Sequence, residues 1–145
     1  MPSAISDYGA ATWSGILVGV GSLPASFYVA LCTSEPGTGW TGTQLATVEP
    51  ADPGYARQPL GTGSGNWSLS GNGYVSTANT ITFGTPTDTW GSITHFALLD
   101  ALTAGNLWAF GEYASPPAIA PNFSAQIPAG GIVLALANLV ASIAS

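Results

Sequence analysis

Short apolar runs, separated by glycine and proline, fill most of this chain. The clearest run is Ser26–Thr33. Phe27, Val29 and Leu31 share one face of a strand here, and Tyr28, Ala30 and Cys32 share the other. With both faces apolar, the strand is expected to be central or covered by a helix. Arg57–Leu60, Asn66–Ser70, Tyr74–Thr77 and Thr80–Phe83 also read as strands. Gly61-Thr62-Gly63-Ser64-Gly65 and Gly71-Asn72-Gly73 supply turns between them. Ser92–Leu99 and Asn106–Glu112 form the best hairpin, joined by a loop over 100–105 with Gly105 near its end. Pro116, Pro117 and Pro121 break the chain, and Asn122–Ile127 and Gly131–Ala137 complete the strands.

About eight short strands with frequent turns predict a mainly β protein, an antiparallel β-sandwich or jelly-roll-like fold in a single domain over 1–145. The exception is the start. Ile5, Tyr8, Ala11 and Ile16 recur near helical spacing, with Ser6 or Asp7 as N-cap, which predicts one short helix at about 7–18. Two segments stand outside this pattern. The loop 34–53 is long, as interaction elements often are. The tail 138–145 is apolar and carries no charge, so it is expected to dock on this domain or on a neighbour.

Composition changes the picture. Hydrophobic residues make up 46% of the 145 residues, enough for a core, but charged residues only 6%. An ordinary soluble domain carries roughly 25%. Such a deficit suits a protein packed among neighbours, although a secreted domain with a Ser/Thr/Asn surface shares it. The formal net charge is -6, with seven acids, one arginine and no lysine. Binding to phosphate backbones or anionic membranes depends on several cations, so neither nucleic acid nor membrane is an expected partner. The start shows no basic leader pattern, and 132–140 is too short to span a bilayer, so folding in a bacterial cytoplasm is expected.

Candidate chemistry is sparse. Cys32, the single cysteine, excludes an intrachain disulfide and reads as a small buried hydrophobe. Gly37-Thr38-Gly39-Trp40-Thr41-Gly42 fits a phosphate-loop spacing, but too few residues follow for the helix that such a site needs. His95, the single histidine, alternates with Ile93, Ala97 and Leu99 and reads as a structural histidine at a sheet edge. No metal or cofactor set and no nucleophile motif is visible. Five tryptophans (Trp13, Trp40, Trp67, Trp90 and Trp108) suit either core anchoring or a sugar-stacking platform. Arg57, the lone cation, is expected to find a carboxylate or a set of carbonyls, or a contact on a neighbouring subunit.

Five segments in order carry a resemblance: 27–36 around Phe27-Tyr28-Val29-Ala30-Leu31-Cys32, Gly54-Tyr55-Ala56-Arg57-Gln58, Asn79–Phe83, Trp90–Ala101 with Gly105-Asn106-Leu107, and Phe123–Ile132. Together, over about 5–137, they resemble small phage virion proteins labelled tail-fibre or minor tail proteins, including those of mycobacteriophages. The resemblance implies a non-enzymatic virion component without cofactor or catalytic residues. It implies partners among other virion proteins and further copies of the chain, on the tail or as head-surface decoration. Tyr55, Arg57, Trp90, His95, Asp100 and Gly105 are then the structural or assembly candidates. The loop 34–53 and the tail 138–145 depart from the family pattern. A carbohydrate-binding module using exposed tryptophans is the alternative.

Overall fold

The computed structural model describes residues 4–70, 73–113 and 115–135. Its elements are β1 (Ala4–Ile5), α1 (Asp7–Leu17), β2 (Ser26–Cys32), α2 (Gly42–Leu45), β3 (Gln58–Gly61), β4 (Trp67–Leu69) and β5 (Tyr74–Thr77). They continue with β6 (Ile81–Thr82), β7 (Gly91–Ser92), β8 (His95–Leu99), β9 (Leu107–Glu112), β10 (Ala118–Ile119), β11 (Gln126–Ile127) and β12 (Val133–Ala135). The fold is the expected mainly β sandwich with a short N-terminal helix.

One layer is a five-stranded antiparallel sheet in the order β1-β9-β8-β2-β3. The other consists of three small ladders, β12-β5-β4, β11-β6 and β10-β7. Between the layers lies the larger core, where Phe27, Val29, Leu31, Leu60, Leu98 and Trp108 of the sheet meet Ile81, Phe83, Ile119, Ile127 and Ile132. On the sheet's other face, Ala30, Cys32, Ala97, Leu99, Leu107 and Phe110 pack under Leu45, with Trp40 and Val48 against them. The two apolar faces of β2 are thus both used. The long loop 34–53, rather than the helix, covers the Cys32 face.

A β-bulge sets which side chains of β9 face which core. Leu98 pairs with Ala109 but Leu99 pairs with Leu107, so Trp108 is the extra residue. An extra residue reverses the alternation. Leu107 and Phe110 therefore share the smaller core, and the Trp108 indole turns into the larger one. There it meets the edges of Tyr8, Trp13 and Phe27. The helix is seated against the same residue. Ser6 caps it, accepting from the Gly9 amide at 2.9 Å, while its own amide donates to the Trp108 carbonyl at 2.8 Å. A Cβ on Gly9 would stand 2.3 Å from that carbonyl oxygen, so glycine permits the close approach.

Several expectations change in detail. The helix ends at Leu17, and a second, one-turn helix α2 lies inside the loop. Its signal is the Thr41/Gln44 capping box, in which the Thr41 amide donates to Gln44 Oε1 at 2.8 Å. The run Ser92–Leu99 is two strands. At the break, the Ile93 amide donates to Pro117 and the Thr94 amide to Cys32. Ile93 consequently packs in the larger core, opposite the face assigned from simple alternation. His95 is buried on β8, an interior strand paired with β2 and β9, and not at a sheet edge. Of the predicted strand Gly131–Ala137, Val133–Ala135 is observed. Residues 136–137, the tail 138–145 and the turn residues 71–72 lie outside the described residues.

Candidate functional site

Arg57 immediately precedes β3, and its side chain is only 3% exposed. A buried guanidinium is tolerable only when its five N–H donors are satisfied. Here all five are. Nε and Nη2 meet Glu49 Oε1 and Oε2 at 3.0 and 2.9 Å. Nη1 donates to the carbonyls of Ala101 and Ala104 at 3.0 and 2.9 Å. The second Nη2 donor reaches the Gly42 carbonyl at 3.0 Å. One side chain thus joins α2, the end of the 34–53 loop and the β8–β9 hairpin loop.

Glycine makes that junction possible. The Gly42 amide donates to the Gly105 carbonyl at 2.9 Å, and a Cβ on Gly42 would fall 1.8 Å from the Ala104 carbonyl oxygen. Gly105 has a φ of +75°, and a Cβ there would meet Ala101 Cβ at 2.6 Å. Asp100 closes the same loop, accepting from the Asn106 amide at 2.7 Å and from Asn106 Nδ2 at 2.9 Å.

Tyr55 extends the network toward the sheet. Its hydroxyl donates to Glu49 Oε1 at 2.6 Å and accepts from the Leu31 amide at 3.1 Å. β3 pairs with β2 only as far as Val29, so beyond that point the Tyr55 hydroxyl and the Val48 carbonyl serve the edge of β2. Burial first, and the Glu49 charge second, push the phenol far above its ordinary range. The ring stacks on Phe83 and takes the edge of Trp90. Trp90 is buried, and its indole donates to Asp52 Oδ2 at 2.8 Å. Asp52 also accepts from the Thr87 hydroxyl and from the Thr87 amide at 2.8 Å. These hydrogen bonds, led by the Thr87 hydroxyl, hold its carboxyl at about 2.

Five of the six sequence candidates, Tyr55, Arg57, Trp90, Asp100 and Gly105, therefore belong to one connected network. His95 stands apart. Its Nδ1 lies 2.8 Å from Thr94 Oγ1, its ring meets Phe110 edge to face, and its Nε2 has no hydrogen-bond partner among the described residues. Glu49, Asp52 and Gly42 are members that sequence reasoning missed. Seven scattered acids gave no means of choosing Glu49, and Gly42 was read only as part of a glycine pattern.

The network can brace loops, and its geometry offers little to a substrate. Arg57 has no free donor. The Gly37–Gly42 pattern leads into a four-residue helix, with Gly42 pressed on the Ala104 backbone. Burial pushes the Cys32 thiol well above its ordinary range. Among the described residues no group of three or more His, Cys, Asp or Glu could hold a metal. Nor is any helix among them long and apolar enough to cross a membrane.

No curated protein matches the chain closely enough to count as a relative. A family model described as podophage GP4 fiber I protein gp80 matches residues 4–135. That span contains the whole brace and all five motif segments in order, and the chain belongs to this phage fibre family.

Proposed function

We propose that the chain is a non-enzymatic structural subunit of a podophage fibre. It is held in the virion by contacts with other virion proteins and with further copies of itself. The observation that carries the reading is the family match over 4–135. The brace agrees with it, because the polar residues shared with the phage motifs hold loops together and present no reactive group. The protein is made in the host cytoplasm and ends on the particle. Nucleic acid is not a partner, since the single arginine is enclosed and counterion release needs exposed cations.

A fibre position follows the family's description more closely than head-surface decoration does. The mycobacteriophage affiliation is a finer proposal supported by the order of the motif segments. Nothing specific favours the carbohydrate-binding alternative: Trp90 and Trp108 are buried, and Trp13, Trp40 and Trp67 are half-buried.

Quantitative mass spectrometry of purified particles, with a particle reconstruction, tests the reading. The expected result is a fixed copy number and density for the sandwich in a fibre. Recovery of the protein only from the unbound fraction of the lysate overturns it. Turnover in a broad hydrolase screen overturns its non-enzymatic part.

A further inference from the structure

A crevice of about 170 Å³ enters the larger core from the side of the small ladders. The ladders β10-β7 and β11-β6 belong to separate sheets, and Ile119 of β10 and Ile127 of β11 both line the space. Leu31, Phe83 and Ile93 supply deeper walls, each at most 2% exposed. The exposed residues Ser124 and Gln126 mark its mouth. An apolar cavity of about 150 Å³ is large enough to take up a benzene ring. The crevice therefore has the size and the lining for one phenyl group.

Such a group stands beside the mouth. Phe123 precedes Ser124 directly and is 68% exposed. The backbone holds it outward. Asn122 has a φ of +68°, in the left-handed region that asparagine tolerates better than most residues. Immediately after the ring, Ser124 Oγ donates to the Phe83 carbonyl at 2.9 Å and the Phe83 amide donates to the Ala125 carbonyl at 2.8 Å. Phe123 is thus fixed next to its own crevice and does not fill it.

We infer that this face pairs with the same face of a second copy, each Phe123 ring entering the other copy's crevice. The inference rests on the fibre reading above, in which copies of the chain adjoin. A two-fold contact requires one surface that complements itself, and a ring beside a ring-sized hole meets that requirement. Charge favours the same face. Copies that each carry -6 approach with least repulsion where acids are absent, none of the crevice residues is charged, and the chain has no charged residue after Glu112. A buried aromatic ring covers about 150–250 Å², so two rings supply only part of the roughly 1,200 Å² that a stable pair buries. The contact is therefore weak between two free copies and gains strength where a fibre holds copies side by side.

Sedimentation velocity on the full-length chain, at concentrations up to about 1 mM, tests the contact. Phe123→Ala removes the ring and Gln126→Trp blocks the mouth; both positions are exposed, and melting curves check that both variants fold. The wild type is expected to show a reversible monomer–dimer equilibrium, and each variant to weaken it by about tenfold or more. Benzene tests the crevice separately. It should raise the melting temperature of the wild type and of Phe123→Ala in a saturable manner, and that of Gln126→Trp much less. A wild type monomeric at every concentration, a variant that dimerises as the wild type does, or benzene shifts that are absent or equal in all three proteins would each overturn the inference. A monomeric wild type that nonetheless occurs at fixed copy number in purified fibres rejects this contact alone and leaves the fibre reading standing.

Discussion

Arg57 meets Glu49 side-on, with Nε and Nη2 on the two carboxylate oxygens, and the two side chains are only 3% and 7% exposed. Removing one partner of a buried pair strands the other charge away from water. Arg57→Ala should therefore lower stability by about 3–5 kcal/mol, read from urea denaturation midpoints. Arg57→Lys keeps the charge but loses the fork and should fall between. Wild-type stability and normal particles with Arg57→Ala would remove the architectural role.

Tyr55 tests the same brace more gently. Tyr55→Phe keeps the ring against Phe83 and Trp90 but removes the hydroxyl shared by Glu49 and the Leu31 amide. The expected loss is about 1–3 kcal/mol. Hydrogen exchange at the Leu31 amide should accelerate more than at the Val29 amide.

Asp52 gives a pH dependence with a defined sign. Its folded carboxyl sits at about 2, below the ordinary value near 3.9. A lowered value means stability that is fully present above about pH 4 and lost as the pH falls toward 2. Melting temperature should drop across that window in the wild type, and the slope should be shallower in Asp52→Asn. Equal slopes would show that the Thr87 and Trp90 hydrogen bonds do not couple to folding.

Gly9 reverses a general rule. Replacing a helical glycine by alanine ordinarily gains about 1 kcal/mol. Here the added methyl would meet the Trp108 carbonyl oxygen at 2.3 Å, so α1 must move off β9. Gly9→Ala should lower the melting temperature, whereas Gly65→Ala, with open space around it, tests the background effect of the substitution.

What the sequence made legible depended on distance along the chain. The alternation in 26–32 disclosed a strand with two buried faces, and Ser6 disclosed the helix start, because each signal lies within a few residues. The phase of β9 was hidden, since the bulge at Trp108 is defined only by its register with Leu98 and Leu99. Ile93 was assigned to the wrong face for a related reason: hydrogen bonds to Pro117 and Cys32, distant in sequence, break the strand there. Arg57 stood out as the lone cation, but its partner did not, because choosing Glu49 among seven acids requires the loop 34–53 to be folded back over β2. Asp100 and Gly105 were visible as turn chemistry. Their carbonyl-bearing loop mates, Ala101 and Ala104, carry no side-chain signal at all.

Enclosing Arg57 also fixes how the molecule meets the solution around it. With the only arginine consumed internally and no lysine anywhere, the side-chain charge left on the outside is negative. Identical copies then repel at long range, and salt screens that repulsion beyond about 10 Å at 0.1 M. Contacts between copies should consequently tighten as ionic strength rises, the opposite of an assembly stitched by ion pairs. If copies of the chain assemble as proposed, their fibre is expected to disperse in dilute medium and to cohere in brine.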